Sequence, residues 1–427
     1  MTDADSDRIS CLPDLIINQI LSHLSIKEAV RTSVLSSMWR NKWSTQLDLV
    51  FDRRCVSGAT SQDPSVIENK FLRIVDHVLL LHSGPINKFE VSDSGCDLIG
   101  VNSMADIDRW IRHLIGRSIK ELVLDIWFEQ RYKIPWCLFS CQSLCRLNLY
   151  CCWLKPPTTF EGFRNLKSLE LERVTVAQDA FEHLISSSPL LEKLILTDFH
   201  GFTHINIHAP NLKYIQITGK FEDISFDNTS QLATVYFDLK FYSENNQSRL
   251  HGCSSNLLKF LDHLPHIKRL LIITYFLKYL AAGDVPVELP RPCIDLRSLC
   301  LFINFNDLKQ ISVALCLLKS SPKLRKFGMF VPLEEQTSLL TPASYCWEEL
   351  FSEPDTPLLV RHLAIEDISG TKSELDFIRF LLLYSPVLEK LIVKPIVNVK
   401  PKLMIELIRF RRASAQAEVI YRVNDSS

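Results

Sequence analysis

The 427-residue chain is 47% apolar, too long for one core of average size and rich enough in hydrophobic side chains to fill several domains or one elongated array. Its formal net charge of −1 excludes a broad electrostatic attraction to nucleic acid or anionic membrane, and with only 12 glycines, dinucleotide- or phosphate-cradling loops are not a dominant theme. Thirteen cysteines, an odd number, read as free thiols of a reducing compartment.

Residues 1–7, MTDADSD, are acidic and polar and are expected to be disordered. They lack the basic start and apolar run of a secretory signal. The longest apolar stretch, Leu270 to Ala282, is interrupted by Lys278 and is too short to span a bilayer. The expectation is a soluble chain without membrane contact, cytoplasmic and/or nuclear.

Residues 8–50 stand apart. Leu12-Pro13-Asp14 opens a helix, because the first helical turn has an unused N–H and so accepts Pro. Leu15, Ile16, Ile20, Leu21 and Leu24 follow as a helical stripe. Ser25 and Glu28 have capping-box spacing for a second helix through Ala29, Val30 and Val34. A third amphipathic segment carries Trp39, Arg40 and Trp43. Three helices this short make a poor core. The apolar surplus packs either on the rest of the chain or on another protein.

The string LPDLIINQILSHLSIKEAVRTSVLSSMWRNKW resembles the F-box of plant F-box proteins. The LPD opening, the IL-x-x-L stripe, the SVLS turn and the WRxxW ending occur in order over about 40 residues. The resemblance implies binding to a Skp-type adaptor and, through it, to a cullin scaffold. Leu12, Pro13, Ile16, Ile20, Leu21 and Leu24 would supply one part of that contact. Val34, Leu35 and Trp39 would supply another, while Trp43 closes the module's own core. Met38 stands where the family more often has a basic residue, which puts one peripheral contact in doubt.

From residue 86 onward a unit apolar-x-x-apolar-x-apolar recurs twelve times, from Ile86/Phe89/Val91 through Leu144/Leu147/Leu149 to Leu388/Leu391/Val393. Starts at 144, 166, 191, 212 and 232 lie 20 to 25 residues apart, and later steps lengthen. This is the leucine-rich-repeat signature: a short strand and a return segment, unable to hide its apolar edge without stacked neighbours. The phrases SSSPLLEKLIL, KSSPKLRKFGM and LYSPVLEKLIV each follow a helical stripe, so Ser-Pro ends a helix before the chain re-enters a strand.

Residues 360–421 are similar to the FBD region of plant F-box/leucine-rich-repeat proteins, on the strength of Gly370 before Glu374-Leu375, the stripe Phe377/Leu381 and the tail Arg412-Ala413-Ser414. Ser385-Pro386 departs from the Asn-Ala often found in that family. The residues themselves read as a final repeat plus a cap over the array's open edge.

The fold class is thus α/β: a three-helix F-box over 8–50 and a linker or first helix of the array over 51–85, with Ser57, Gly58 and Pro64 as a hinge or lid. A leucine-rich-repeat solenoid of strand–helix repeats and a curved parallel sheet covers 86–355, and an FBD-type cap covers 356–427. Strand alternation puts the second and third apolar residues of each unit inside and the intervening ones on the concave face. That face carries Tyr150, Tyr214, Tyr236, Phe302 and Phe330, suited to a target protein. Cys137, Cys141, Cys145, Cys151 and Cys152 lack CxxC pairing, and no HExxH, GxSxG, GxxxxGK[ST] or GxGxxG motif occurs, so no metal, cofactor or catalytic residue is expected.

The expected function is that of the non-catalytic substrate-recognition subunit of a cullin-based ubiquitin ligase, leading to degradation of an unknown target. The alternative is an interaction scaffold acting without degradation. A nucleic-acid partner is not expected.

Overall fold

In the computed structural model the described residues are 12–56, 63–92, 103–127, 131–240, 255–264, 266–332, 357–396 and 402–422. The expected disorder of residues 1–7 and the hinge residues Ser57 and Gly58 lie outside them. The chain divides into two compact units, residues 1–203 and 204–427.

The first unit begins with α1 (Asp14–Ser22) and α2 (Ile26–Arg31). The capping box expected at Ser25 forms: its backbone N–H donates to Glu28 Oε2 at 3.0 Å, and its hydroxyl accepts from the Glu28 N–H at 3.4 Å. The expected third helix is replaced by single 3-10 turns at Thr32–Val34 and Lys42–Thr45, because Trp39 and Trp43 turn inward and draw the chain across α1. The ladder strands are β1 (Asp48–Phe51), β2 (Lys88–Ser92) and β3 (Glu121–Asp125), then β5 (Arg146–Tyr150), β7 (Ser168–Glu172) and β8 (Lys193–Thr197). Each pairs in parallel with the next. Helices α3 (Pro64–Leu81), α4 (Met104–Ile115) and α5 (Gln178–Ser186) fill long returns. The short β4 (Tyr132–Lys133) and β6 (Cys152–Trp153) pair with each other.

The second unit contains β9 (His204–His208) and β11 (Asp223–Asp227), which pair, and the parallel run β10 (Tyr214–Gly219), β12 (Thr234–Leu239), β13 (Arg269–Ile273) and β14 (Ser298–Phe302). It continues through β15 (Lys326–Phe330), β16 (His362–Ile368), β17 (Lys390–Pro395) and β18 (Glu418–Tyr421). Its helices are α6 (Asn256–Asp262), α7 (Thr274–Leu280), α8 (Leu308–Lys319), α9 (Lys372–Tyr384) and α10 (Lys402–Arg409).

All twelve recurring units form ladder strands, and two more appear. The strand β1, in the stretch read as the end of the helical module, is in register with β2, and β18 extends the sheet where a cap was expected. In both, a glutamine (Gln46 or Gln416) holds the first apolar position, so the pattern search passes over them. The strand–helix expectation holds for the longer steps only. Steps of about 20 residues return through loops and the short strands β6, β9 and β11, too little chain for a helix and its two turns.

Register is locked at most steps by a forked bond, while at the step onto β18 the Glu418 N–H alone donates to the Glu389 carbonyl at 2.9 Å. The N–H groups of Cys145 and Arg146 both donate to the Lys120 carbonyl, at 2.7 and 3.0 Å. Those of Arg325 and Lys326 do the same to Arg297, each at 3.0 Å. Beneath the strands, pairs such as Leu147 and Leu149 are fully buried, worth about 1.5–3 kcal/mol per side chain before entropy. The Ser-Pro phrase acts as read: Ser188 and Ser321 cap their helices by donating to the carbonyls of Leu184 and Leu317, at 2.7 and 2.6 Å. In the third copy the Ser385 hydroxyl has no partner among the described residues, and the Ala413 N–H takes the Leu382 carbonyl instead, at 2.9 Å.

The carboxylate of Glu374, buried at the start of α9, accepts from the N–H groups of Gly370 and Thr371 at 2.6 and 2.8 Å. Gly370 reaches this cap with φ +82°, a conformation side chains rarely adopt. Glu374→Ala strands these donors, and the expected loss is about 1–3 kcal/mol, read as a lower urea midpoint. An unchanged midpoint would show the cap to be dispensable.

His82, at the C-terminal end of α3, is buried, and desolvation holds its imidazole below the usual range. Its Nε2 donates to the Gln46 carbonyl at 2.7 Å, and Gln46 Nε2 donates to the Leu21 carbonyl at 2.6 Å, which ties the helical module to the array. The unfolded chain takes up a proton below about pH 6.5 that the native ring refuses. This contribution to stability is therefore complete above that pH and declines below it. The expected outcome is a steeper loss of urea midpoint from pH 7.5 to 5.5 in the wild type than in His82→Gln. Parallel losses in the two chains would clear His82 of the effect.

Candidate functional site

Two surfaces hold the residues singled out by sequence. On the helical module, Pro13 starts α1 and its carbonyl accepts from the Ile16 and Ile17 N–H groups at 2.9 and 3.1 Å. Ile17 and Leu21, one turn apart, face inward, so Leu15, Ile16 and Ile20 face solvent. Leu15 is 77% exposed, and the turn after α2 adds Val34 at 87%, Leu35 at 60% and Met38 at 54%. An apolar cluster this open on so small a module marks an interaction surface.

Of the expected adaptor contacts, Pro13, Ile16, Ile20, Val34 and Leu35 lie exposed, and Leu12 and Leu24 are half-buried. Leu21 and Trp39, at 0% and 2% exposure, are corrections: both serve the interior of the chain itself. Trp43 is buried beside them. Leu15 and Met38, named in the stripe and as a departure from the family pattern, were not counted among the adaptor contacts. For Leu15 the signal existed, since helical spacing from the inward pair Ile17/Leu21 sets it outside. Lys42 Nζ bridges to Asp14 at 2.5 Å and ties the last turn to the start of α1.

The second surface is the outward row of each ladder. In the first unit Tyr150 belongs to a cluster with two residues that the strand pattern does not mark. Arg173, one past β7 with φ 53°, lies 5.0 Å from the Trp127 ring centre and 5.7 Å from that of Tyr150, and donates to the Tyr150 hydroxyl at 3.1 Å. Burial pushes the Tyr150 hydroxyl up against the opposing pull of Arg173. Nearby, Glu170 accepts from Lys193 and Arg146 at 2.8 and 3.4 Å, so charges on this face neutralise one another. Val123, set outward by alternation between the inward Leu122 and Leu124, is nonetheless buried.

In the second unit the half-buried Tyr214 donates to Gln216 Oε1 at 2.8 Å, and burial raises the hydroxyl of Tyr236 on the neighbouring strand. Phe302 and Phe330 stack with ring centres 4.7 Å apart and an 11° interplanar angle. Within the second unit, strand β13 separates Tyr214 and Tyr236 from the stacked Phe302 and Phe330. Among the described residues no three His, Cys, Asp or Glu side chains are placed to hold a metal ion, and the nine cysteines there are free. No helix among them is long and apolar enough to cross a membrane.

The F-box domain model matches residues 9–50, and a model described as the LRR repeats of FBD-associated F-box protein At5g56370 matches residues 107–328. F-box/FBD/LRR-repeat protein At1g13570 of Arabidopsis thaliana is 40% identical over 426 residues, which cover 97% of this chain and 98% of that protein. FBD-associated F-box protein At5g56370 of the same organism is 25% identical over 455 residues, covering 97% of this chain and all of its own length. The helical module, the parallel ladder and a relative this similar along both whole chains lead to one conclusion: the chain belongs to the F-box/FBD/LRR-repeat protein family.

Proposed function

We propose that the chain is the substrate-recognition subunit of a cullin-based ubiquitin ligase. The F-box docks on a Skp-type adaptor, and the outward ladder rows, with Tyr150, Tyr214, Tyr236, Phe302 and Phe330, hold a target protein. The exposed apolar cluster of Leu15, Ile16, Ile20, Val34, Leu35 and Met38 carries this reading, since a folded module leaves such a surface open for a partner. No residue of this chain does covalent chemistry in this scheme. Its contribution is to raise the effective concentration of a target lysine at a reactive centre borne by another protein. The nine free, mostly buried thiols among the described residues support work in the cytoplasm or nucleus.

Val34 and Leu35 are open enough to be changed without touching the core. Val34→Asp with Leu35→Asp is expected to lower adaptor affinity by at least about 100-fold, since two apolar side chains lose about 1.5–3 kcal/mol of burial each. The readout is co-purification and titration of the adaptor, with circular dichroism confirming the fold. Equal adaptor affinity in the variant refutes the F-box reading.

Targets captured by the wild-type chain are expected to be lost when Tyr150 and Tyr236 are both alanine, with adaptor recovery unchanged. Their half-lives in cells are expected to lengthen several-fold with the Val34/Leu35 variant. Captured targets whose half-lives stay the same in that variant would identify the chain as a scaffold that does not promote degradation.

A further inference from the structure

The outward face of the second unit, given the proposed role of the ladder in holding a target, has a charge pattern of its own. The first outward row of this ladder runs through Arg269, Ser298, Lys326, His362 and Lys390, each in register with the next. The residues just before these strands add Lys268, Arg297, Arg325 and Arg361 along the same edge. Glu389 meets Arg361 at 2.9 Å and His362 at 3.7 Å, and the row ends on β18 at the acid Glu418, in register with Lys390. Among the described residues, no carboxylate lies within ion-pair distance of Lys268, Arg269, Arg297, Arg325, Lys326 or Lys390.

Neighbouring strands lie about 4.8 Å apart, so cations on successive strands repel one another and weaken the sheet. In the first unit the ladder removes such costs internally, as Glu170 does for Arg146 and Lys193. The second unit leaves Lys268, Arg269, Arg297, Arg325 and Lys326 without a described ion-pair partner along one edge, with acids only at its far end, Glu389 and Glu418, a local conflict of the kind that marks a functional surface.

Beside the belt lies a different chemistry. The second outward row is Leu271, Cys300, Gly328, Ala364 and Ile392, half-buried and without charge. The small side chains at its centre sit low, and the stacked Phe302 and Phe330 border it. A cationic edge alongside an apolar trough matches a polypeptide with carboxylates on one side and aliphatic side chains on the other.

We infer that this face takes an acidic, leucine-bearing segment of the target, laid across the strands. Its carboxylates meet the basic edge and its aliphatic groups enter the trough. A nucleic acid would satisfy the cations and leave the trough without a partner. The net charge of −1 fits a belt confined to one edge of one ladder, unlike a generally basic surface.

The test uses the full chain purified with its adaptor and fluorescein-labelled peptides of equal length: one of Glu and Leu, its Lys/Leu copy and its Glu/Ser copy. A single-stranded oligouridine is a fourth probe. The Glu/Leu peptide is expected to bind best and to weaken with salt. Lys326→Glu with Lys390→Glu is expected to weaken it at least about tenfold, while Lys326→Arg with Lys390→Arg stays within about twofold. Equal binding of the Lys/Leu peptide, stronger binding of the oligouridine, indifference to the charge reversal or no peptide binding overturns the inference. Adaptor retention is scored on the same samples. Its loss with peptide binding intact removes the F-box reading alone, and its persistence with peptide binding absent removes this inference alone.

Discussion

A leucine-rich repeat cannot hide its own inner edge, and the rest of the structure follows from that constraint. Each strand carries two or three inward apolar residues, too few to fold alone, so stability comes from neighbours covering one another. The forked hydrogen bonds before most strands fix which residue faces which. A slip of one residue would drive Lys326 or His362 into the interior and lift Phe327 or Leu363 out of it. The chemistry of the outward rows is therefore set by the inward rows, and the outward face comes with the core.

The helical module depends on the ladder in turn. Two short helices and two 3-10 turns enclose Ile17, Leu21, Trp39 and Trp43, and the strand β1 leaves the module directly into the sheet. Gln46 sits at the joint. It spends its side chain on the α1 carbonyl of Leu21 and its own carbonyl on His82, while Arg117 reaches the Gly84 carbonyl at 2.9 Å and lies 3.4 Å from the other ring nitrogen of His82. Within the first unit the apolar cluster of the F-box is thus presented from a body already in register with the repeats.

The two ladders manage charge differently. In the first, Glu170 gathers Arg146, Lys193 and the Asn148 amide, and Arg173 rests against the Trp127 and Tyr150 rings. In the second, cations line one edge with acids only at its far end, Glu389 and Glu418, beside an uncharged trough. A neutral chain can therefore carry locally distinct surfaces, which whole-chain charge cannot report.

Periodicity and motif order determined much of this protein without coordinates. The spacing of Leu, Ile and Phe marked twelve strands, because an inward side chain must recur wherever a strand crosses the same core. The Ser25/Glu28 pair marked a helix start, since capping is a local hydrogen-bond matter, and the LPD-to-WRxxW string marked the F-box. Only the tertiary structure decided that Leu21 and Trp39 face inward while Leu15 and Met38 face out. A helical stripe tells which residues share a side but not which side the fold covers. Gln46 and Gln416 concealed two strands because a polar residue there breaks the pattern, although the register does not require an apolar one. The basic edge of the second unit was equally out of reach: Arg269, Lys326 and Lys390 are scattered along the chain, and parallel pairing alone brings them onto one row.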